Sequence, residues 1–205
     1  MKIYFDKSAH CISLLEAEHN MEFGQFRTPL TQYAAKGLPW VLDNGVFSRF
    51  EHDKFVRMQA DAIDSELCEW IVVPDVVGNS DRTLKRFLSW TDDYPLVLEK
   101  AAYVAQDGQS SALVPWEDIV CLFIGGTDAF KDSQAALLLA MEAKRRGKWV
   151  HVGRLNSTER LVSWYGVADS CDGSGISRFT HQRDKLIKNL KDLERTIQTS
   201  LKEWC

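Results

Sequence analysis

One unit recurs along this chain and limits what it can fold into: a short continuous apolar run, a polar or glycine-bearing stop, then a stretch of helical period. Residues 39–45, 70–78, 101–108, 119–127, 149–155 and 166–175 each supply the run and its stop. Strands that are apolar on both faces belong to a parallel sheet covered by helices. The helices are expected over residues 52–67, from Ser80 as cap, over 133–146 with Gly147 closing it, and over 157–164. Ahead of these units, residues 2–6 read as a first strand, 8–22 as a helix, and 23–29 as a loop bearing Gly, Arg and Pro. A long helix over about 181–204 follows the last unit.

This reading has seven strands, in an open doubly wound sheet or a closed (β/α) barrel. Polar residues or glycine end nearly every strand: Asp43, Asp75, Gln106, Gly126, Arg154 and Asp172. In a barrel those ends converge on one mouth, whereas an open sheet spreads them along an edge, so the barrel is favoured. At 205 residues the chain is shorter than the usual barrel of about 250, and a compact or imperfect TIM-like barrel is expected. No linker or low-complexity stretch divides it, so residues 1–205 read as one α/β domain.

Composition excludes several classes. A hydrophobic share of 45% supports one sizeable core, and no apolar run approaches the roughly 18 residues of a membrane span. The first residues begin a strand and not a signal peptide. A net charge of −4 argues against a protein that coats polyanions wholesale, while leaving room for a local basic face. The five cysteines are odd in number and lack a C-x-x-C pair. That points to reduced thiols in the cytoplasm, with neither a disulfide framework nor a zinc knuckle.

Asp43, Asp75 and Asp172 at one mouth suggest acid–base or nucleophilic chemistry, with Gln106 and the backbone of Gly125 and Gly126 as neutral partners. No histidine is expected with them, and no ligand set is dense enough for a metal. Each residue also has a plain alternative. Asp43-Asn44-Gly45 is turn chemistry, Asp75 can cap a helix, and Gly125-Gly126-Thr127 can cradle a phosphate. Asp169 reads as a structural hydrogen-bonding residue, and His151 and Cys171 as packing. Most basic residues around Arg145 and along the last helix read as a solvated face with intrahelical partners. Arg154 and Arg178 flank strand ends and are candidates for nucleic-acid phosphates, with Gln25 and Arg27 weaker ones.

Several of these segments together resemble a known family. Leu42-Asp43-Asn44-Gly45 is similar to the Asp-Ser-Gly-Gly segment of the tRNA-guanine transglycosylases, and Val73-Pro74-Asp75 falls where that family places its guanine-recognising aspartate. Residues 104–108 resemble its Val-Gln-Gly strand, residues 124–127 its Gly-Gly loop, and residues 166–172 the segment whose last Asp is the nucleophile. The match covers roughly residues 39–178, and it is closer to the smaller phage and bacterial relatives, the DpdA-like enzymes, that insert 7-deazaguanines into DNA.

The resemblance implies a DNA-guanine transglycosylase that exchanges guanine for a preQ0-type 7-deazaguanine through a covalent Asp172–sugar intermediate. Asp43 would be its acid–base, and Asp75, Gln106, Gly125, Gly126, Asn44 and Tyr103 would bind the base. Phe47, Tyr103 and Trp116 are candidate stacking walls. It implies DNA and the free base as partners, no cofactor and no metal, and it leaves a homodimer open. The family's C-terminal zinc site of Cys and His is missing from this sequence, which favours DNA over tRNA. Base exchange on tRNA or a nucleoside, a catalytically silent nucleic-acid-binding barrel, and an unrelated phosphate-binding barrel enzyme remain alternatives.

Overall fold

The computed structural model describes residues 1–203, and side chains through Thr199; Trp204 and Cys205, included in the sequence reading, lie outside the described residues. Eight parallel strands close a barrel in chain order: β1 Lys2–Phe5, β2 Phe23–Arg27, β3 Trp40–Leu42, β4 Cys68–Val72, β5 Ala101–Ala105, β6 Cys121–Ile124, β7 Trp149–Val152 and β8 Ser170–Asp172. The last strand pairs with the first, Cys171 opposite Ile3. Among the described residues, helices α1 Ala9–His19, α2 His52–Asp64, α3 Ser80–Asp93, α4 Asp128–Lys131, α5 Gln134–Arg145, α6 Thr158–Trp164, α7 Ser174–Arg178 and α8 Thr180–Glu203 complete the fold. No described helix is long and apolar enough to cross a membrane.

The eighth strand corrects the sequence reading. Residues 23–27 were expected in a loop, because Phe-Gly-Gln-Phe-Arg contains a glycine and no β-branched residue. Pairing on both sides overrides that weak local preference: Phe23 lies opposite Ile3, and Phe26 opposite Val41. The glycine has its own reason, since a Cβ on Gly24 would lie 2.2 Å from the ring of Tyr4, which is fully buried. With β2 in place the barrel closes as a compact eight-stranded ring, with one register shift between β3 and β4.

Strand alternation then sorts most side chains, with a register shift between β3 and β4 that leaves Cys68 in the outer layer and Trp70 on the axis. Tyr4, Phe26, Val41, Trp70, Val72 and Val104 are among those filling the barrel axis. Their odd-step neighbours, among them Ile3, Trp40, Ile71, Tyr103 and Val152, pack outward under the helices. Four of the helices start on short polar caps: Ser8, Asn79, Ser133 and Ser157 each accept a backbone N–H of the first turn of α1, α3, α5 and α6. For α3 the cap is Asn79, with Ser80 the first helical residue, one position from the sequence reading.

Gly24→Ala tests the axial packing. The added methyl has to displace a buried ring, so the variant should lose about 1–3 kcal/mol in urea unfolding with the m-value unchanged.

Candidate active site

The carboxyl ends of the strands enclose a cavity of about 410 Å³ whose lining includes Asp43, Asp75, Gln106, Gly126, Arg154 and Asp172. These are the six strand-end residues of the sequence reading, and Asn44, Gly125 and Arg178 line the same space. A larger depression, about 600 Å³, lies near Lys2, Glu16, Asn20 and Pro39, away from this mouth, and collects no comparable set of convergent groups.

Asp75 is buried, and both of its carboxylate oxygens are held. Asn44 Nδ2 donates to Oδ1 at 2.8 Å and Gln106 Nε2 donates to Oδ2 at 2.6 Å. Gln106 is itself oriented, because its Oε1 accepts the Gly78 N–H at 2.8 Å. Burial raises the Asp75 carboxyl above the ordinary range, against the lowering effect of those two hydrogen bonds. Each oxygen keeps a second lone pair, so a fixed, planar pair of acceptors remains for a ligand.

Asp43 ends β3 and lines the same cavity. Its Oδ2 accepts the Gly45 N–H at 3.0 Å, a turn that φ of +75° at Gly45 permits. Burial pushes its carboxyl up to about 7, and the charges of Asp172 and Asp75 add to the rise. Near neutral pH this group therefore both holds and releases a proton, the condition for acid–base work.

Asp172 ends β8 with its side chain 14% exposed. Its Oδ1 is bonded to His151 Nε2 at 3.0 Å and accepts the Arg154 N–H at 3.1 Å, while Oδ2 has no hydrogen-bond partner among the described residues. Arg154 has a left-handed backbone, φ +56°, at the turn that brings its N–H to the carboxylate. Its guanidinium lies 4.0 Å from the ring centroid of Phe47 and donates to the Gly126 carbonyl at 3.1 Å. The Gly126 N–H has no partner among the described residues and borders the cavity.

Three neighbours were missed. His151 was assigned to packing, and no histidine was expected at the mouth; it is fully buried on the axis and bonded to Asp172. Lys131 has a fully buried side chain on the cavity wall, bonded to the Gly153 carbonyl and the Asp128 carboxylate, both at 3.2 Å. Burial, reinforced by Arg154, lowers its amine below the usual range. Asp6, just past β1, lines a second cavity of about 430 Å³ that shares Asp172 and Arg178 with the first. Burial raises the Asp6 carboxyl, with the Asp172 charge adding to it and Thr31 and Arg178 opposing. Alternation was the available signal for two of these, since Asp6 shares the parity of Tyr4, and His151 lies two residues before Gly153 at the mouth.

Some expected residues lie elsewhere. Tyr103 is not in the cavity: Ala102, Val104 and Gln106 point inward, so Tyr103 points outward, packing edge-on to Phe87 of α3 and bonding Gln109. Trp116 is also on the outside, beneath Arg146. Phe47 does line the mouth, 61% exposed. Gln25 is buried against the Lys7 carbonyl and Arg27 lies over Trp40, so neither reaches the mouth. Cys171 packs outward in the core as expected, and Asp169 is structural, accepting the Val150 N–H and pairing with Lys144. Arg145 and Arg146 are paired within their helix to Glu142. The Gly125-Gly126-Thr127 loop is poorly suited to a phosphate, because Asp107 already takes the Thr127 N–H and hydroxyl and would repel an anion there.

Among the described residues no cluster of three or more His, Cys, Asp or Glu side chains is arranged to hold a metal ion. The sequence matches no protein-family model and no curated protein.

The raised Asp43 carboxyl has a consequence for stability. A folded-state value above the unfolded one contributes stability below about pH 4, and that contribution is lost as pH rises through about 7. Asp43→Asn keeps the acceptor for Gly45 and removes the titration. The variant should therefore gain stability over wild type from pH 5 to pH 8 by roughly 2 kcal/mol, allowing for residual solvent contact, in denaturant midpoints at the two pH values. An equal difference at both pH values would remove Asp43 as the titrating group.

Proposed function

We propose that this protein is a guanine-exchanging transglycosylase acting on DNA, with a 7-deazaguanine as the incoming base. The observation that carries the reading is the convergence of Asp43, Asp75, Gln106, Gly126 and Asp172 on one cavity, with donors and acceptors set as a guanine needs them. Guanine presents N1–H and the exocyclic N2–H₂ side by side, and the two fixed oxygens of Asp75 accept both. Adenine offers an acceptor at N1 and is refused. The Gly126 N–H, and the second N–H of Gln106 Nε2, are the donors available for O6.

In this reaction the free Oδ2 of Asp172 attacks C1′ of the sugar. A C1′–O bond forms, the C1′–N9 bond breaks, and its electron pair leaves with guanine, which takes a proton from Asp43. The incoming 7-deazaguanine gives its N9 proton to the Asp43 carboxylate and attacks C1′, expelling Asp172 and restoring the original configuration after two inversions. Phe47 and the apolar wall of Phe26 and Phe123 keep water from the ester, which would otherwise hydrolyse to an abasic site. Arg154 and Arg178, which line the same cavity, are the cations assigned in this reading to the phosphates that flank a flipped nucleotide.

The test combines trapping and exchange. Wild type incubated with guanine-containing DNA should give a covalent protein–DNA species that survives denaturation, and Asp172→Asn should give none. Equal behaviour of the two removes Asp172 as nucleophile. Release of labelled guanine from duplex DNA, single-stranded DNA and tRNA decides the polymer, and release from tRNA alone overturns the DNA assignment. Asp75→Asn turns an acceptor into a donor facing N1–H and should lower kcat/KM for guanine by about 100-fold or more.

A further inference from the structure

Asp172 does not stand alone in the barrel; it is the upper end of a polar chain that runs down the axis. Trp149 Nε1 donates to Ser170 Oγ at 2.7 Å, Ser170 Oγ lies 2.9 Å from His151 Nδ1, and His151 Nε2 lies 3.0 Å from Asp172 Oδ1. The directions follow from the ends of the chain. An indole N–H only donates, and an ionised carboxylate only accepts. His151 therefore gives Nε2–H to Asp172, and in the neutral imidazole the Ser170 hydroxyl, having accepted from Trp149, gives its own hydrogen to Nδ1. The register places Ser170 directly opposite His151, so one strand pair builds the chain.

Aromatic rings hold the imidazole where it is. Phe123 and Trp70 have their centroids 4.7 and 4.8 Å away, and Phe26 is stacked at 6.1 Å with an interplanar angle of 21°. A fully buried histidine walled by rings and hydrogen-bonded at both nitrogens has little freedom, and the oxygen that it holds has little more.

We infer that His151, oriented by Ser170 and Trp149, is the positioning residue for the Asp172 nucleophile. With the Arg154 N–H it holds Oδ1 and leaves Oδ2 as the attacking atom. When the ester forms on Oδ2, Oδ1 becomes its carbonyl and keeps both donors, so the carboxylate need not rotate between the two displacements. This role rests on the transglycosylase reading for its chemistry and on the hydrogen-bond chain for its geometry, and the two are tested separately.

The kinetic test measures the single-turnover rate of covalent adduct formation, and the half-saturating DNA concentration, in His151→Leu and His151→Gln, each checked for a wild-type unfolding midpoint. A glutamine amide places a donor near the Nε2 position, and leucine places none. The leucine variant should react roughly 10- to 100-fold more slowly at a nearly unchanged half-saturating concentration, with glutamine recovering most of the rate. Equal loss in both variants, or a loss confined to half-saturation, overturns the assignment. The structural test is histidine nitrogen–proton NMR on folded wild type and Asp172→Asn. A His151 proton on Nε2 whose shift moves with the Asp172 substitution supports the chain, and a proton on Nδ1 alone overturns it. If wild type forms no adduct, the transglycosylase reading fails, and the NMR result still decides whether His151 holds Asp172.

Discussion

Most of the mouth of this barrel depends on the two-residue alternation of strands closed into a ring, while Asp75, three residues past the inward Val72, is brought in by the loop after β4. In a closed parallel barrel each strand has one face on the axis and one under the helices, and the choice cannot change along a regular strand. Once Val104 faces the axis, Gln106 faces it too, and Tyr103 is committed to the helix layer against Phe87. The same rule carries β7 from Trp149 through His151 to Gly153, and β8 from Ser170 to Asp172, so a polar path through an otherwise apolar axis ends at the cavity. A one-residue slip of either strand would move Asp172 or His151 into the helix layer.

The architecture was largely legible in the sequence because the strands are continuous apolar runs with polar stops, a pattern that needs no fine detail. The strand-end set Asp43, Asp75, Gln106, Gly126, Arg154 and Asp172 was legible for the same reason, and these residues line one cavity. What escaped depends on pairing rather than on local pattern. β2 has a glycine where Tyr4 needs room and lacks the β-branched residues that mark a strand, so only its neighbours define it. Tyr103 was misjudged by treating the aromatic residue nearest a site as part of it, although counting by twos from Gln106 excludes it. Lys131 gave no signal, since a lysine in a short helix usually faces solvent, and here the Gly153 carbonyl and Asp128 hold it inside.

The polar groups at the mouth are divided by sign. Asp6, Asp43, Asp75 and Asp172 come from the ends of β1, β3, β4 and β8, while Lys131, Arg154 and Arg178 come from α4, the turn after β7 and α7. Among the described residues no ion pair joins these carboxylates to these cations, and Asp43 and Asp75 are held by neutral donors, side-chain amides and a backbone N–H. Neutral donors fix geometry without cancelling charge, which leaves the field in the cavity available to a ligand.

That residual field bears on the proposed chemistry through its cost in the resting protein. Burial is the main reason that the Asp43 carboxyl rises to about 7, and the charges of Asp172, Asp75 and Asp6 add a smaller repulsion to it. An oxocarbenium-like sugar between Asp43 and Asp172 carries positive charge only as the glycosidic bond breaks, so it relieves the repulsion in the transition state and not in the bound substrate. Binding energy spent in this way lowers the barrier instead of deepening the ground state. The Arg154 guanidinium sits on the Phe47 ring and the Gly126 carbonyl and forms no ion pair with Asp172 among the described residues, so no direct contact with it cancels the charge that favours bond breaking.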